Sequence, residues 1–400
     1  MSDTLAIDGG TPACTSTFSH WPIHDHHERD NLVAVLESGQ WGELSGPMVD
    51  DFSTAFAMFQ GANHAVCTPN GTLALEAGLE ALGVGPGDEV ITSAWTFIAT
   101  AGAMLTLGAR PVFVDIDPTT NTIDPSLIAA AITPKTKAIV PVHIGGLPAD
   151  MDGVLEVARA SGLPVLEDAC QAWGAEWRGQ GVGVIGDLGC FSFQESKNIT
   201  AGEGGAVVTN DAALHDRVWS IHNTGRGRQS DGMFDHVMPG RNLRMTEWQG
   251  AILLAQLERL PEQMTRRNHS AARLTGALAE LPGLAPLRVD DRITRHGWHL
   301  YQFQYDPKQF GGRDRADFLA ALEAEGVPCS AGYIPLPHLG AIKDAVHQRF
   351  GDEVLRHPIT NAEAAGRHTV WLPQTLLLAD DATIAQVIAA FRKIARAWTS

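Results

Sequence analysis

Lys197 lies in FSFQESKNITAGEGG, directly after an apolar run containing Phe191 and Phe193 and before a glycine-rich turn. An amine in that position loses hydration, which favours its neutral form and makes it nucleophilic toward carbonyl carbon. The chain holds six lysines, at 135, 137, 197, 308, 343 and 393. Lys135 and Lys137 belong to a polar lead-in, TPKTKA, and the last three fall in polar or helical surface patterns. Only Lys197 follows a buried strand. The same position also suits a lysine that stretches back to solvent along its apolar stem.

Two further stretches carry chemistry. Asp168 ends the almost wholly apolar PVLED (164–168), where an unpaired carboxylate pays a large desolvation penalty. It calls either for a cationic partner or for the backbone N–H groups of the next turn. A carboxylate held there can keep a heteroaromatic nitrogen protonated. In CTPNGTLALEAGL (67–79) a strand ends at Pro-Asn-Gly-Thr and a helix opens. Free N–H groups, the positive helix end and the Thr72 hydroxyl make an anion cradle, or else an ordinary capped turn. The spacing GxGxxG is absent, so this is no dinucleotide fingerprint. Taken together, a phosphate cradle, a carboxylate for a ring nitrogen and a desolvated lysine are the three groups that pyridoxal 5′-phosphate requires.

The elements that must position these residues follow from the hydrophobic pattern. HAVCT (64–68), EVITS (89–93), PVFVD (111–115), AIVPV (138–142) and PVLED (164–168) read as buried strands, with helix-patterned segments between them. That alternation predicts a mainly parallel sheet covered on both faces, closed by GCFSF and GAVVTND. Its order of chemical groups fits the large domain of aspartate-aminotransferase-like enzymes. Thr246 is expected to cap a helix over EWQGAILLAQLERL, with Pro261 interrupting or kinking it. This divides the chain into an N-terminal segment plus large cofactor-binding domain, 1–262, and a smaller C-terminal α/β domain, 263–400. The second has helices near 265–280, 314–325 and 382–397 and a strand around WHLYQFQYD. Residues 225–240, glycine-rich and polar, read as a loop long enough to be functional.

A formal charge of −17 argues against nucleic acid and against an anionic membrane surface as partners. No uninterrupted apolar run approaches the length of a membrane span, and the first residues lack a secretory pattern. Cysteines 14, 67, 170, 190 and 329 are odd in number and widely spaced, which suits buried thiols in a reducing compartment. The expected location is therefore cytoplasmic.

At these residues the chain resembles the DegT/StrS family of sugar and aminocyclitol aminotransferases, pyridoxal-phosphate enzymes of fold type I. The resemblance runs through NGTLAL, GDEVITSAWTFIATA, PVFVDIDPTTNTID, EDACQAWGA, FSFQESKNITAGEGGAVVTND and NLRMTEWQGAILLAQLERL. It implies that Lys197 links covalently to the cofactor, that Asp168 pairs with the ring nitrogen, and that Gln171 sits near the ring's phenolic oxygen. Gly71, Thr72 and Ser192 would hold the phosphate, and Phe97 would stack on the ring, although core packing is the alternative for Phe97. Asn242 would reach the phosphate of a second subunit, which implies a homodimer with shared active sites. The family usually flanks that asparagine with tyrosine; here the neighbours are Arg241 and Leu243. A sister group that dehydrates sugars carries histidine in place of the lysine, which Lys197 argues against.

The implied reaction moves an amino group from glutamate or glutamine to a keto-sugar or keto-cyclitol, in making an amino sugar, aminocyclitol or related secondary metabolite. TAGEGG leans toward the cyclitol and aminoshikimate-type branch. Other readings are a dehydratase or 3-amino-5-hydroxybenzoate-synthase-like member of the family, and a non-catalytic protein that keeps the fold. No metal site is expected: HDHH (24–27) reads as solvated surface rather than a ligand set. His143 either lines the active site or is a satisfied core histidine. Arg226 and Arg228, in the 225–240 loop, are candidates to grip a donor carboxylate.

Overall fold

A computed structural model describes residues 4–398 except residues 230, 231, 233 and 352. Five short apolar strands come first: β1 (His64–Thr68), β2 (Glu89–Ser93), β3 (Arg110–Val114), β4 (Thr136–Val140) and β5 (Leu166–Asp168). After a small hairpin, β6 (Glu176–Trp177) and β7 (Gln180–Gly181), come β8 (Leu188–Ser192) and β9 (Gly205–Thr209). Hydrogen bonding gives the sets β3-β2-β4 and β5-β8-β9-β1, and parallel bridges Ile139–Val165 and Val142–Asp168 join them. The sheet is thus seven strands wide and parallel except for β9, which runs against both β8 and β1. The expected mainly parallel sheet is present.

Helices cover its faces, starting from caps written in the sequence. The chain begins with α1 (His26–Ser38) and α2 (Met48–Gln60); α3 (Gly71–Ala81), α4 (Ile98–Thr106), α5 (Pro125–Ala131), α6 (Met151–Ser161) and α7 (Ala212–His222) follow. Asn70, Asp124, Asp150 and Asp211 each accept from a backbone N–H of the first turn they precede. Under β8 lies an aromatic cluster in which Phe56 meets Phe191 and Phe193 edge-on at 5.0 and 5.2 Å, and Phe52 meets Phe193 at 5.2 Å. That cluster is what the apolar run before Lys197 buries.

The long helix α8 (Glu247–Ala279) departs from expectation. It starts where Thr246 places it, with Gln249 Oε1 accepting from the Thr246 N–H and hydroxyl at 2.9 and 2.8 Å. It then runs through Pro261 for 33 residues without a break. Proline removes one backbone donor, but α1 and α2 pack against the first half, and α12 (Asp381–Trp398) and the turn Leu376–Leu378 pack against the second. Packing on both sides outweighs the local cost of about 3 kcal/mol. The expected division at 262/263 therefore falls inside a helix.

The C-terminal part holds a second sheet, which is antiparallel, with α9 (Arg315–Ala324), α10 (Gly340–Phe350) and α11 (Thr360–His368) beside α12. Its strands are β10 (Leu284–Pro286), β12 (Leu300–Tyr305), β13 (Ser330–Ala331) and β14 (Thr369–Pro373), while β11 (Ile293–Arg295) pairs with β6. The first residues of the chain, expected with the larger unit, pack here instead. Leu5 and Cys14 join the cluster of Phe318, Phe391 and Val387. The cause is Glu325, a fully buried carboxylate that needs donors and finds them in Ala6 N, Ala13 N and the Lys393 ammonium. Lys393, read from sequence as a surface residue, is buried by the same pairing.

The expected loop 225–240 has neither helix nor strand among its described residues; its residues 230, 231 and 233 lie outside them. Bridges Asn223–Asn242 and Arg226–His236 close its base. All five cysteines are free thiols. No helix among the described residues is long and apolar enough to cross a membrane.

Candidate active site

A cavity of about 1020 Å³ opens beyond the carboxyl ends of the strands, the place where open α/β sheets bind ligands. Gly71, Thr72, Phe97, Asp168, Gln171, Ser192 and Lys197 all line it. Residues spread over 127 positions of sequence therefore meet in one place, because each stands at a strand end, on the loop that follows one, or in the first turn of the helix beyond it.

The cradle is built by close approach. Asn70 Oδ1 accepts from Leu73 N at 2.9 Å, and the first two helical N–H groups, of Gly71 and Thr72, have no intrahelical acceptor. A Cβ at Gly71 would stand 2.7 Å from Ser192 Cβ and 3.1 Å from Cys170 Sγ. Only glycine lets the helix start meet the end of β8, and the meeting puts the Ser192 hydroxyl beside the free N–H groups. At Gly205 a Cβ would lie 2.4 Å from the Asn70 carbonyl, so β9 also needs glycine where it passes the cap. The donor set and the glycine-only approach fit a phosphate.

Asp168 is buried at the end of β5 and is held in place by Thr100 Oγ1, which donates to Oδ2 at 2.8 Å, and by Cys170 N, which donates to Oδ1 at 3.2 Å. Gln171 is fixed at both ends of its amide: Gly145 N donates to Oε1 at 2.7 Å, and Nε2 donates to the Tyr333 hydroxyl at 3.1 Å. Burial pushes the Tyr333 phenol up to about 12, against the pull of the Gln171 bond. Phe97 is 52% exposed and faces the cavity with its ring 6.1 Å from that of Tyr333, so it is not part of the core.

Lys197 stands on a pinned turn. Its N–H donates to Gln194 O at 2.9 Å, the Thr200 hydroxyl donates to Phe193 O at 2.9 Å, and Asn198 Nδ2 donates to Gly297 O at 2.8 Å. The side chain is partly buried and lines the cavity. Burial lowers its pKa from 10.5, while Cys170 and Asp168 partly restore it. That is the direction an amine nucleophile needs.

Four candidate residues lie off the cavity. His143 is a satisfied core histidine. Ala149 N donates to Nδ1 at 3.0 Å, so the ring proton sits on Nε2, which donates to Glu167 Oε2 at 2.9 Å. Arg228 pairs with Asp216 at 2.8 Å, and neither Arg226 nor Arg228 lines the cavity of its own chain. Asn242 is exposed and also lies off the cavity. Arg241 anchors its stretch to α3 through Glu76 and Glu80, each at 2.6 Å, and Leu243 is buried in the core. In the HDHH segment, Asp25 caps α1 by accepting from His27 N, and Glu28 completes the box; Asp25, His26 and His27 are all exposed.

Residues 22–392 match the DegT/DnrJ/EryC1/StrS aminotransferase family. The chain belongs to that family. It is 40% identical to the spore coat polysaccharide biosynthesis protein SpsC of Bacillus subtilis, over 94% of this chain and 96% of that protein. It is 36% identical to the L-glutamine:2-deoxy-scyllo-inosose aminotransferase of Micromonospora echinospora, over 98% of this chain and 97% of that protein. The crystal structure of 3-amino-5-hydroxybenzoic acid synthase superposes with a TM-score of 0.86 at 37% identity, covering 95% of this chain and 98% of that one. The family and fold type expected from the motifs are both borne out.

Sequence reasoning missed several cavity residues of this DegT/StrS-type chain. Trp21, His299, Tyr333, Trp371 and Gln374 all line it, and four of the five come from the C-terminal part. Their only signals were polar or aromatic residues interrupting strand-like runs, as in WHLYQ and WLPQT. His299 is buried 5.6 Å from the Trp173 ring, with Nδ1 3.2 Å from Asn198 Oδ1. Burial holds its pKa well below 6.5, and the charges of Lys197 and Arg267 push the same way. It is therefore a neutral imidazole at physiological pH.

Proposed function

We propose that the protein is a pyridoxal-phosphate-dependent aminotransferase that moves the amino group of L-glutamine onto the ketone of a cyclitol, in the biosynthesis of an aminocyclitol or related secondary metabolite. The observation that carries the reading is the convergence of Lys197, Asp168 and the Gly71–Thr72–Ser192 cradle on one cavity. Glutamine and a keto-cyclitol come from the name of the Micromonospora relative, and the TAGEGG turn points the same way.

Bound there, the cofactor supplies an aldehyde for amine exchange and a ring that draws electrons from the substrate carbon. The chain's own residues hold it and move protons. Gly71, Thr72 and Ser192 would offer N–H and hydroxyl donors to its phosphate, and Phe97 would lie beside the ring. Asp168, held by Thr100, would supply the carboxylate that keeps the ring nitrogen protonated. Lys197 carries the cofactor at rest and, with its amine free, takes and returns the proton at the substrate carbon. Positioned proton transfer of this kind contributes on the order of 10²–10⁴ in rate.

Asn242, exposed and off its own cavity, serves a second copy of the chain in this reading, which makes the working unit a homodimer. Mixed dimers of Lys197→Ala and Asn242→Ala chains then recover activity that neither variant has alone. For the reaction itself, the test is the visible spectrum of the cofactor-loaded protein on adding L-glutamine, then a keto-cyclitol. The visible band of the lysine-linked cofactor should disappear with glutamine and return with the ketone. Lys197→Ala should show neither change while keeping its fold. A loaded wild-type protein that is inert to both glutamine and glutamate would overturn the reading.

A further inference from the structure

Arg267 is fully buried in the middle of α8, and no carboxylate pairs with it among the described residues. A buried guanidinium without an acid is costly, and a chain retains one only where something compensates. Burial, with nothing opposing it, brings its pKa down to about 9. Its Nε and Nη2 both donate to the single oxygen Oε1 of Gln374, at 3.1 and 2.6 Å, and Nη2 also reaches Gln263 Oε1 at 3.3 Å. Arg267 Nη1 and Gln374 Nε2 are buried and have no hydrogen-bond partner.

These orphan donors adjoin the active site. Gln374 lines the cavity, and so does Trp21, whose ring centre is 5.8 Å from the guanidinium carbon. Arg267 stands behind both. Among the described arginines and lysines of the same chain, only Lys197 lines the cavity itself, together with the carboxylates Asp168 and Glu203. An α-amino-acid donor brings a carboxylate that needs a counter-charge which a neutral polyol acceptor does not. The Nε–Nη2 edge of arginine is the edge that takes a carboxylate through two parallel hydrogen bonds, and here one amide oxygen occupies it.

We propose that Arg267 is the carboxylate-binding cation for the amino donor, and that Gln374 Oε1 holds its fork until the donor carboxylate displaces it. The inference rests on the aminotransferase reading and adds the donor subsite to it. Arg267 binds the donor directly in this account, and Gln374 is a positioning residue that acts through it; neither touches the reacting atoms.

The test is equilibrium binding to the cofactor-loaded protein of 4-carbamoylbutanoate, which is glutamine without its amine, and of uncharged pentanediamide. Neither can react. Wild type should bind the carboxylate at least tenfold more tightly than the diamide, the scale of a charge-assisted hydrogen-bond pair. Arg267→Met should lose that preference. Should this variant fail to fold, Gln374→Glu carries the test: it supplies the missing carboxylate, keeps the protein folded and fills the fork permanently. Carboxylate affinity should then fall at least tenfold, with diamide affinity within about threefold of wild type. A wild type without preference, or a folded Gln374→Glu protein with undiminished preference, overturns the proposal. Conversion of the cofactor by glutamine in the same wild-type preparation separates that failure from failure of the aminotransferase reading.

Discussion

Thr100 Oγ1 donates to Asp168 Oδ2 at 2.8 Å, with both residues buried where α4 passes the end of β5. The bond holds the carboxylate that we propose keeps the ring nitrogen protonated. An opposite charge at contact is worth about 1–3 pKa units. Asp168→Asn should therefore slow the glutamine half-reaction about 10- to 10³-fold. The amide can still bond Thr100, whose hydroxyl rotates to suit, so the thermal midpoint should change little. An unslowed half-reaction would remove Asp168 from its assigned role.

Lys197 makes a prediction about stability. Its folded pKa is lowered by burial, whereas in the unfolded chain it stays near 10.5. Below the folded pKa both states hold the proton, and the folded state carries the full cost of a desolvated charge. Between the two values the unfolded state binds more protons, so stability rises with pH. Lys197→Met should raise the thermal midpoint of the cofactor-free protein at pH 7, with a gain that shrinks as pH climbs toward 10.5. Unfolding scans of both proteins across that range measure it, and a gain independent of pH would contradict it.

Gly71 and Gly102 make a matched pair. Alanine at 71 forces a methyl to 2.7 Å from Ser192 Cβ, so Gly71→Ala should cost about 1–3 kcal/mol and weaken cofactor uptake. Alanine at 102, inside α4, meets nothing within 4 Å and should stabilise by about 0.4–1 kcal/mol. Urea unfolding and cofactor titration of both variants check this. Equal effects at the two sites would mean that the cradle has room to relax.

Glu167 is the acceptor behind the site. Oε2 takes the protons of His143 Nε2 and Gly183 N at 2.9 and 2.8 Å, and Oε1 those of Ile185 N and Gly186 N at 2.8 and 2.7 Å. In Glu167→Gln, whichever way the amide sits, its NH₂ faces two donors. The loss should be on the order of 3 kcal/mol in urea unfolding. Turnover per folded molecule should be retained, because His143 and Glu167 lie off the cavity. A selective loss of turnover would return His143 to the active site.

Much of this protein was legible before its fold. Lys197, Asp168 and the Pro69–Thr72 turn stood out because a charge, or a run of free N–H groups, beside a buried strand contradicts its surroundings, and such local contradictions survive in a linear sequence. The cap Thr246 was readable for the same reason, since a cap acts on N–H groups only two or three residues away. What required tertiary structure were decisions made by distant partners. Pro261 stays inside a helix because packing on both halves of α8 outweighs a missing donor. Lys393 is buried because Glu325, 68 residues away, needs a cation. Of the two readings open for His143, its pairing with Glu167 selects the core one, and Arg267 meets Gln374, 107 residues on, at the edge of a cavity that no single segment encloses. Sequence spacing records what a residue does to its neighbours in the chain; which charge meets which acceptor across the fold is set only when the sheets and helices close around them.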